Sequence, residues 1–112
     1  MRKLDLTDYT AKAKVPDPAK PGGLLDIQYP YPVKESLLQV MFAPQLKLTG
    51  PELLKQTMLG MKIESCKDGS ILLEDAEWER LKQAVTVVTG FSSPDVEFVR
   101  RILEAPETPI NT

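Results

Sequence analysis

No histidine occurs in the 112 residues. That removes the Ser-His-acid and Cys-His nucleophilic sets, imidazole general bases and zinc sites built on imidazole. Cysteine occurs once, at Cys66, so no intrachain disulfide can form. No apolar run nears the ~20 residues that a membrane-spanning helix requires. The opening MRKLDLTDYT is charged throughout and lacks the apolar core of a secretory leader. A reducing, cytoplasmic setting without membrane contact is the expectation. Basic clusters are lacking too. Net charge is −2, residues 1 to 23 hold five basic against three acidic side chains, and residues 64 to 80 hold six acidic against two basic. A nucleic-acid partner would be bound without the phosphate-neutralising term that usually dominates affinity, so it is disfavoured. A phosphate-cradling glycine loop is missing as well, because the PGG at residues 21 to 23 leads into a strand pattern and not a helix.

What is present is a change of period. In KLDLTDYTAKAKV, Leu4 and Leu6 share one parity whereas Tyr9, Ala11, Ala13 and Val15 share the other, which asks for a bend near Thr7 and Asp8. PDPAKPGG, residues 16 to 23, disfavours regular structure and reads as a mobile loop. Strict alternation then runs through Leu25, Ile27, Tyr29, Tyr31 and Val33, broken on the other face by Pro30 and Pro32. Proline gives no N–H to a neighbour, so the second strand lies at a sheet edge or stops pairing near Gln28. A proline-bearing edge also resists random strand recruitment.

From Val33 the period becomes helical. VKESLLQVMFAP predicts a helix over about 33 to 42, stopped by Ala43 and Pro44. Thr49 three residues before Glu52, with Pro51 in the first turn, predicts a second helix over about 51 to 65. Its Leu53, Leu54, Thr57, Met58 and Met61 form a stripe expected to be buried. SILLE is a candidate short third strand, and Asp75 is expected to cap a helix carrying Trp78, Leu81, Val85 and Val88. Gly90 and the FSSPD turn lead to a last helix over 94 to 104, expected to bury Phe98, Val99, Ile102 and Leu103 and to form a helical hairpin with the one before.

Three clusters invite chemistry. Cys66 lies at a helix C-terminus, where the dipole disfavours a thiolate, and reads as a structural thiol. The four carboxylates of EDAEWE suit the first turn of a helix, whose free N–H groups carry partial positive charge. ESCKDGSILLED has the length of an EF-hand loop but places Cys66 third, Leu72 ninth and Asp75 last, where calcium ligands belong. Catalytic, cofactor and metal sites are therefore all expected to be absent. Arg100 and Arg101, beside Glu97 and Glu104, read as a solvated face with intrahelical pairs. Duplex binding by the helical half, in a small DNA-associated regulator, is the alternative reading.

The remaining reading is a non-enzymatic protein-interaction module. The expected architecture is α+β in one domain: an N-terminal β-hairpin arm over residues 1 to 32, a helical part of about four helices over 33 to 105, and a flexible tail over 106 to 112. Leu37, Met41, Leu54, Met58, Trp78, Leu81, Val85, Phe98 and Ile102 are the expected core, with a partner needed for the Trp78 indole N–H. Tyr29, Tyr31 and Phe42 are the expected contact residues for a protein partner or a second copy gripped by the arm, because aromatics combine apolar area with adaptable polar tips.

Taken in order, LDLTDYTAKA, a proline-rich loop, YPVKESLLQVMF, LLKQTMLGMKIESC and ILLEDAEWERLKQAV resemble small proteins found in tailed-phage and prophage genomes. The resemblance implies a virion assembly or structural accessory protein that binds other proteins and does no chemistry, in the host cytoplasm or in the virion. It carries over no site residue.

Overall fold

The change of parity at Thr7 and Asp8 separates two strands that go to different partners. A computed structural model describes residues 1–108. β1 (Arg2–Asp5) pairs antiparallel with β4 (Ser70–Leu73), whereas β2 (Tyr9–Pro16) pairs antiparallel with β3 (Leu24–Tyr31). SILLE is thus a strand, joined to β1 in a sheet of its own. The bend is built by Asp5, whose carboxylate accepts from the Thr7 N–H at 2.9 Å and its hydroxyl at 2.6 Å. Asp8 then accepts from the Val33 N–H at 3.1 Å, satisfying a free donor at the start of α1 (Val33–Met41), which Pro32 cannot cap.

Pairing in the β2–β3 ribbon runs without a break from Tyr9–Tyr31 to Pro16–Leu24, so the prolines do not end it near Gln28. The bond from the Asp17 N–H to the Gly23 carbonyl at 3.0 Å sets the alternation. It puts Thr10–Pro30 and Pro16–Leu24 at positions whose backbone N–H groups point away from the partner strand. Each proline therefore removes a donor from an outer edge and none from the ladder.

The helices follow: α2 (Gly50–Ser65), α3 (Asp75–Val87) and α4 (Val96–Leu103), with 3-10 turns at Pro44–Leu46 and Ser93–Asp95. Thr49 caps α2, its side chain accepting from the Glu52 N–H at 3.4 Å. Glu74, one residue before the expected Asp75, caps α3, and the Glu77 carboxylate accepts the Glu74 N–H at 2.9 Å. The Trp78 indole N–H near the start of α3 donates at 2.8 Å to the Ile102 carbonyl near the end of α4, which sets the two as an antiparallel hairpin.

Leu37, Met41, Trp78, Leu81, Val85, Phe98 and Ile102 are buried as expected. Leu54 and Met58 are not: each is 63% exposed, with Leu53 and Met61 also outside. α2 buries Gln56, Leu59, Gly60 and Ile63 instead. Two features turn it that way. Gly60 lets the Phe42 ring come so close that a Cβ there would lie 3.2 Å from it, and the Gln56 amide donates at 3.0 Å to the Met41 carbonyl at the end of α1. Gly60→Val is expected to cost about 1–3 kcal/mol by overpacking against Phe42, read as a lower urea midpoint at unchanged slope. Leu103 is a second correction, 44% exposed on the outside of α4.

Residues 106–108 do not fray. The Pro106 carbonyl accepts from the Lys3 N–H at 3.0 Å, Glu107 bridges to Arg2, and the Thr108 N–H donates to the Met1 carbonyl at 2.7 Å. The rest of the expected tail, residues 109 to 112, lies outside the described residues. Among the described residues no helix is long and apolar enough to cross a membrane.

Candidate functional site

The three expected contact residues come apart in the structure. Tyr31 is 7% exposed. Its ring stacks on Tyr9 at 4.7 Å between centroids and lies against Phe98, and its hydroxyl donates to the Asp95 carboxylate. Burial, with the Asp95 carboxylate next, pushes its phenol well above the usual range. Tyr9 completes the clasp, donating at 2.6 Å to the Pro94 carbonyl and accepting from the Phe98 N–H at 3.2 Å. These two tyrosines fasten the base of the arm to the turn before α4, and Tyr31, being buried, has little surface left to offer a partner. Tyr29 is half-buried one step further along the arm, and Phe42, 40% exposed, sits over Gly60 at the side of α2.

Two bare apolar surfaces replace the expected one. The first is the outer face of α2, where Leu53, Leu54, Met58 and Met61 are 47%, 63%, 63% and 65% exposed. These four fall within roughly 140° of arc at about 100° per residue, so they form one stripe, while the opposite arc faces the core. The second is the outer half of the arm. Ala11, Ala13 and Val15 with Tyr29, Ile27 and Leu25 share one face by register. Burial falls along it from Ala11, which is buried, through half-buried Ala13, Val15 and Ile27 to Leu25, which is exposed. Beneath Ala13 and Ile27 a groove of about 790 Å³ opens toward Ser92, Ser93 and Pro94. The apolar alternation therefore continues past the point where the chain itself covers it.

The two arginines of α4 are tied up locally. Arg100 pairs with Glu97 at 2.5 Å and Glu104 at 3.5 Å, and Arg101 reaches Glu97 at 3.2 Å and Asp5 at 3.6 Å. No basic stripe is left on α4 for a nucleic-acid backbone. The hydrogen bonds from Arg100, then those from Arg101, lower the Glu97 carboxyl from 4.5 to about 2. A lowered carboxylate stabilises the fold above its unfolded value and loses that contribution as pH falls through the folded one. Glu97 should therefore titrate near 2 by carboxyl carbon NMR, and its small share of stability should fade between pH about 4.5 and about 2.

The groove between α2 and α3, about 560 Å³, is lined by Glu52, Gln56 and Arg80 among others. Three of its polar groups satisfy one another: Arg80 pairs with Glu52 at 2.5 Å and donates to Gln56 at 3.3 Å. Cys66 is half-buried, its thiol donating to the Ser70 carbonyl at 3.4 Å. Among the described residues no three His, Cys, Asp or Glu side chains gather to hold a metal ion. The α2 stripe was in the sequence, assigned to the wrong side of the surface.

No protein-family model, no curated protein and no solved structure matches this chain.

Proposed function

We propose that this protein is a non-enzymatic interaction module that docks on another protein chain through the outer face of α2. The observation that carries this reading is the stripe of Leu53, Leu54, Met58 and Met61 standing in solvent. Contiguous apolar patches on a single chain mark contact sites, and methionine with leucine gives a surface that adapts to its partner. No burial requirement of the fold explains the stripe, because the helix already packs through its opposite face. The phage and prophage resemblance supports giving this role the form of a virion assembly or structural accessory component.

A photo-activatable amino acid at position 58, and in a control chain at exposed Thr86 on α3, tests the reading in the cell that makes the protein. One discrete protein cross-linked from position 58, absent from position 86 and lost on Leu54→Glu, is the expected result. Equal cross-linking from both positions would overturn it.

A further inference from the structure

The outer edge of β2 is a row of backbone groups without partners. The alternation set by the Asp17–Gly23 bond turns the N–H and C=O of Thr10, Lys12 and Lys14 away from β3, and none of them has a backbone partner among the described residues. Pro16 closes the row at the tip of the arm, and the bend at Thr7 and Asp8 closes it at the base. β3 has an edge of the same kind, but the turn at Ser93–Asp95 packs beside β2. There the groove under Ala13 runs on, past Lys12, Ser93 and Pro94, into a second hollow of about 560 Å³ that reaches Val96, which is 65% exposed. We propose that this edge takes an extended segment of another protein as a third strand, one in which acidic and bulky apolar side chains alternate. The site is separate from the α2 face, so either reading can fail alone.

The edge itself specifies its occupant. Only another extended backbone meets donors and acceptors that recur every second residue, about 7 Å apart. The side chains of such a strand alternate in step with those of β2. The ones opposite Ala11 and Ala13 face the groove, and alanine fills little of it, which leaves room for large apolar groups over Pro94 and Val96. The ones opposite Lys12 and Lys14 stand on the other face, about 5 Å from the two lysines. Neither lysine is in an ion pair among the described residues. Asp26, across from Lys14 on β3, lies two strand spacings, about 10 Å, from the added strand. A carboxylate is therefore the favoured neighbour, and the β2 edges of two copies repel through the same lysines. A two-stranded ribbon, marginal by itself, gains the third strand it lacks.

A short capped peptide alternating glutamate with isoleucine is the probe, added to the ¹⁵N-labelled full chain. Amide shifts are expected at residues 10 to 14 and 93 to 97, with slowed hydrogen exchange of the Thr10, Lys12 and Lys14 amides, which then donate to the peptide. N-methylation of the glutamates removes the donors that face β2, keeps every charge and is expected to abolish binding. N-methylation of the isoleucines, whose N–H groups point away, is expected to leave it. Lys12→Pro repeats what Pro16 and Pro30 already do on the outer edges, sparing the ladder, and is expected to weaken binding about tenfold. Lys12→Gln, which keeps the N–H, should weaken it less. The N-methylated peptides test the edge on the unaltered chain, whatever Lys12→Pro does to the fold. No shifts at millimolar peptide, or equal binding of the N-methylglutamate peptide or of a lysine–isoleucine peptide, would overturn the proposal. Shifts confined to residues 50 to 65 would also overturn it, and would leave docking on α2 standing.

Discussion

Tyr31→Ala should destabilise the protein by about 3–5 kcal/mol, the range for truncating a buried aromatic, and Tyr31→Phe by about 1.5–3 kcal/mol, the value of a hydrogen bond to a charged group. The difference lies in what each removes. Alanine deletes the 4.7 Å stack on Tyr9, the contact with Phe98 and the bond to Asp95 together. Phenylalanine deletes the last alone. Asp95 then keeps its other oxygen on the Ser92 N–H at 2.9 Å, so the turn before α4 survives. In alanine's case the base of the arm loses its hold on the body, and the ribbon is left near the limit of independent stability. Urea unfolding of the two variants reads the difference directly. Equal, small losses would mean that the arm is not held through Tyr31.

Trp78→Ala should cost a similar about 3–5 kcal/mol, which lowers the thermal midpoint by about 12–20 °C at about 4 °C per kcal/mol for a domain of this size. Trp78 is where four parts of the chain meet. Its ring lies in α3, its N–H is bonded to α4, and the Arg2 guanidinium of β1 sits 4.2 Å from the ring centroid. Arg2 in turn donates at 3.0 Å to the Ala105 carbonyl, holding the segment that follows α4 beside β1. Truncation removes the buried ring and leaves both the Ile102 carbonyl and the Arg2 cation without their partner. Arg2→Ala, which spares the ring, should cost far less, and calorimetry of the two variants orders them. Similar midpoints for both would show that the cation, and not the indole, holds this corner.

Much of the architecture was legible because its signals are local. Alternation marked the arm, Thr49 and Pro51 marked the start of α2, and the parity change at Asp8 marked a real bend. What the bend meant was not legible, since the pairing of β1 with β4 spans most of the chain and no local pattern states it. The stripe on α2 shows the limit most clearly. Both sides of this helix carry apolar residues, and the outward side carries more of them, so periodicity selects the wrong face. The choice is made by Gly60, which admits Phe42, and by Gln56, which reaches the Met41 carbonyl. Glycine and glutamine add nothing to an apolar count. Tyr31 was misassigned for a related reason: an aromatic on a strand reads the same whether it faces a partner or its own α4, and the Asp95 that receives its hydroxyl lies far along the chain.

Peroxide oxidation of the methionines tests most directly whether the outer face of α2 is bare in the single chain and covered when the chain is bound. Met58 and Met61 are 63% and 65% exposed, and Met41 is 0% exposed, which supplies the internal standard. In dilute protein, mass spectrometry should find Met58 and Met61 oxidised at least roughly tenfold faster than Met41, because reactivity follows exposure. Adding the partner found by cross-linking at position 58 should slow the first two and leave Met41 unchanged. Protection of Met58 and Met61 equal to that of Met41 in the dilute chain would contradict the account, since the stripe would then lie inside the fold.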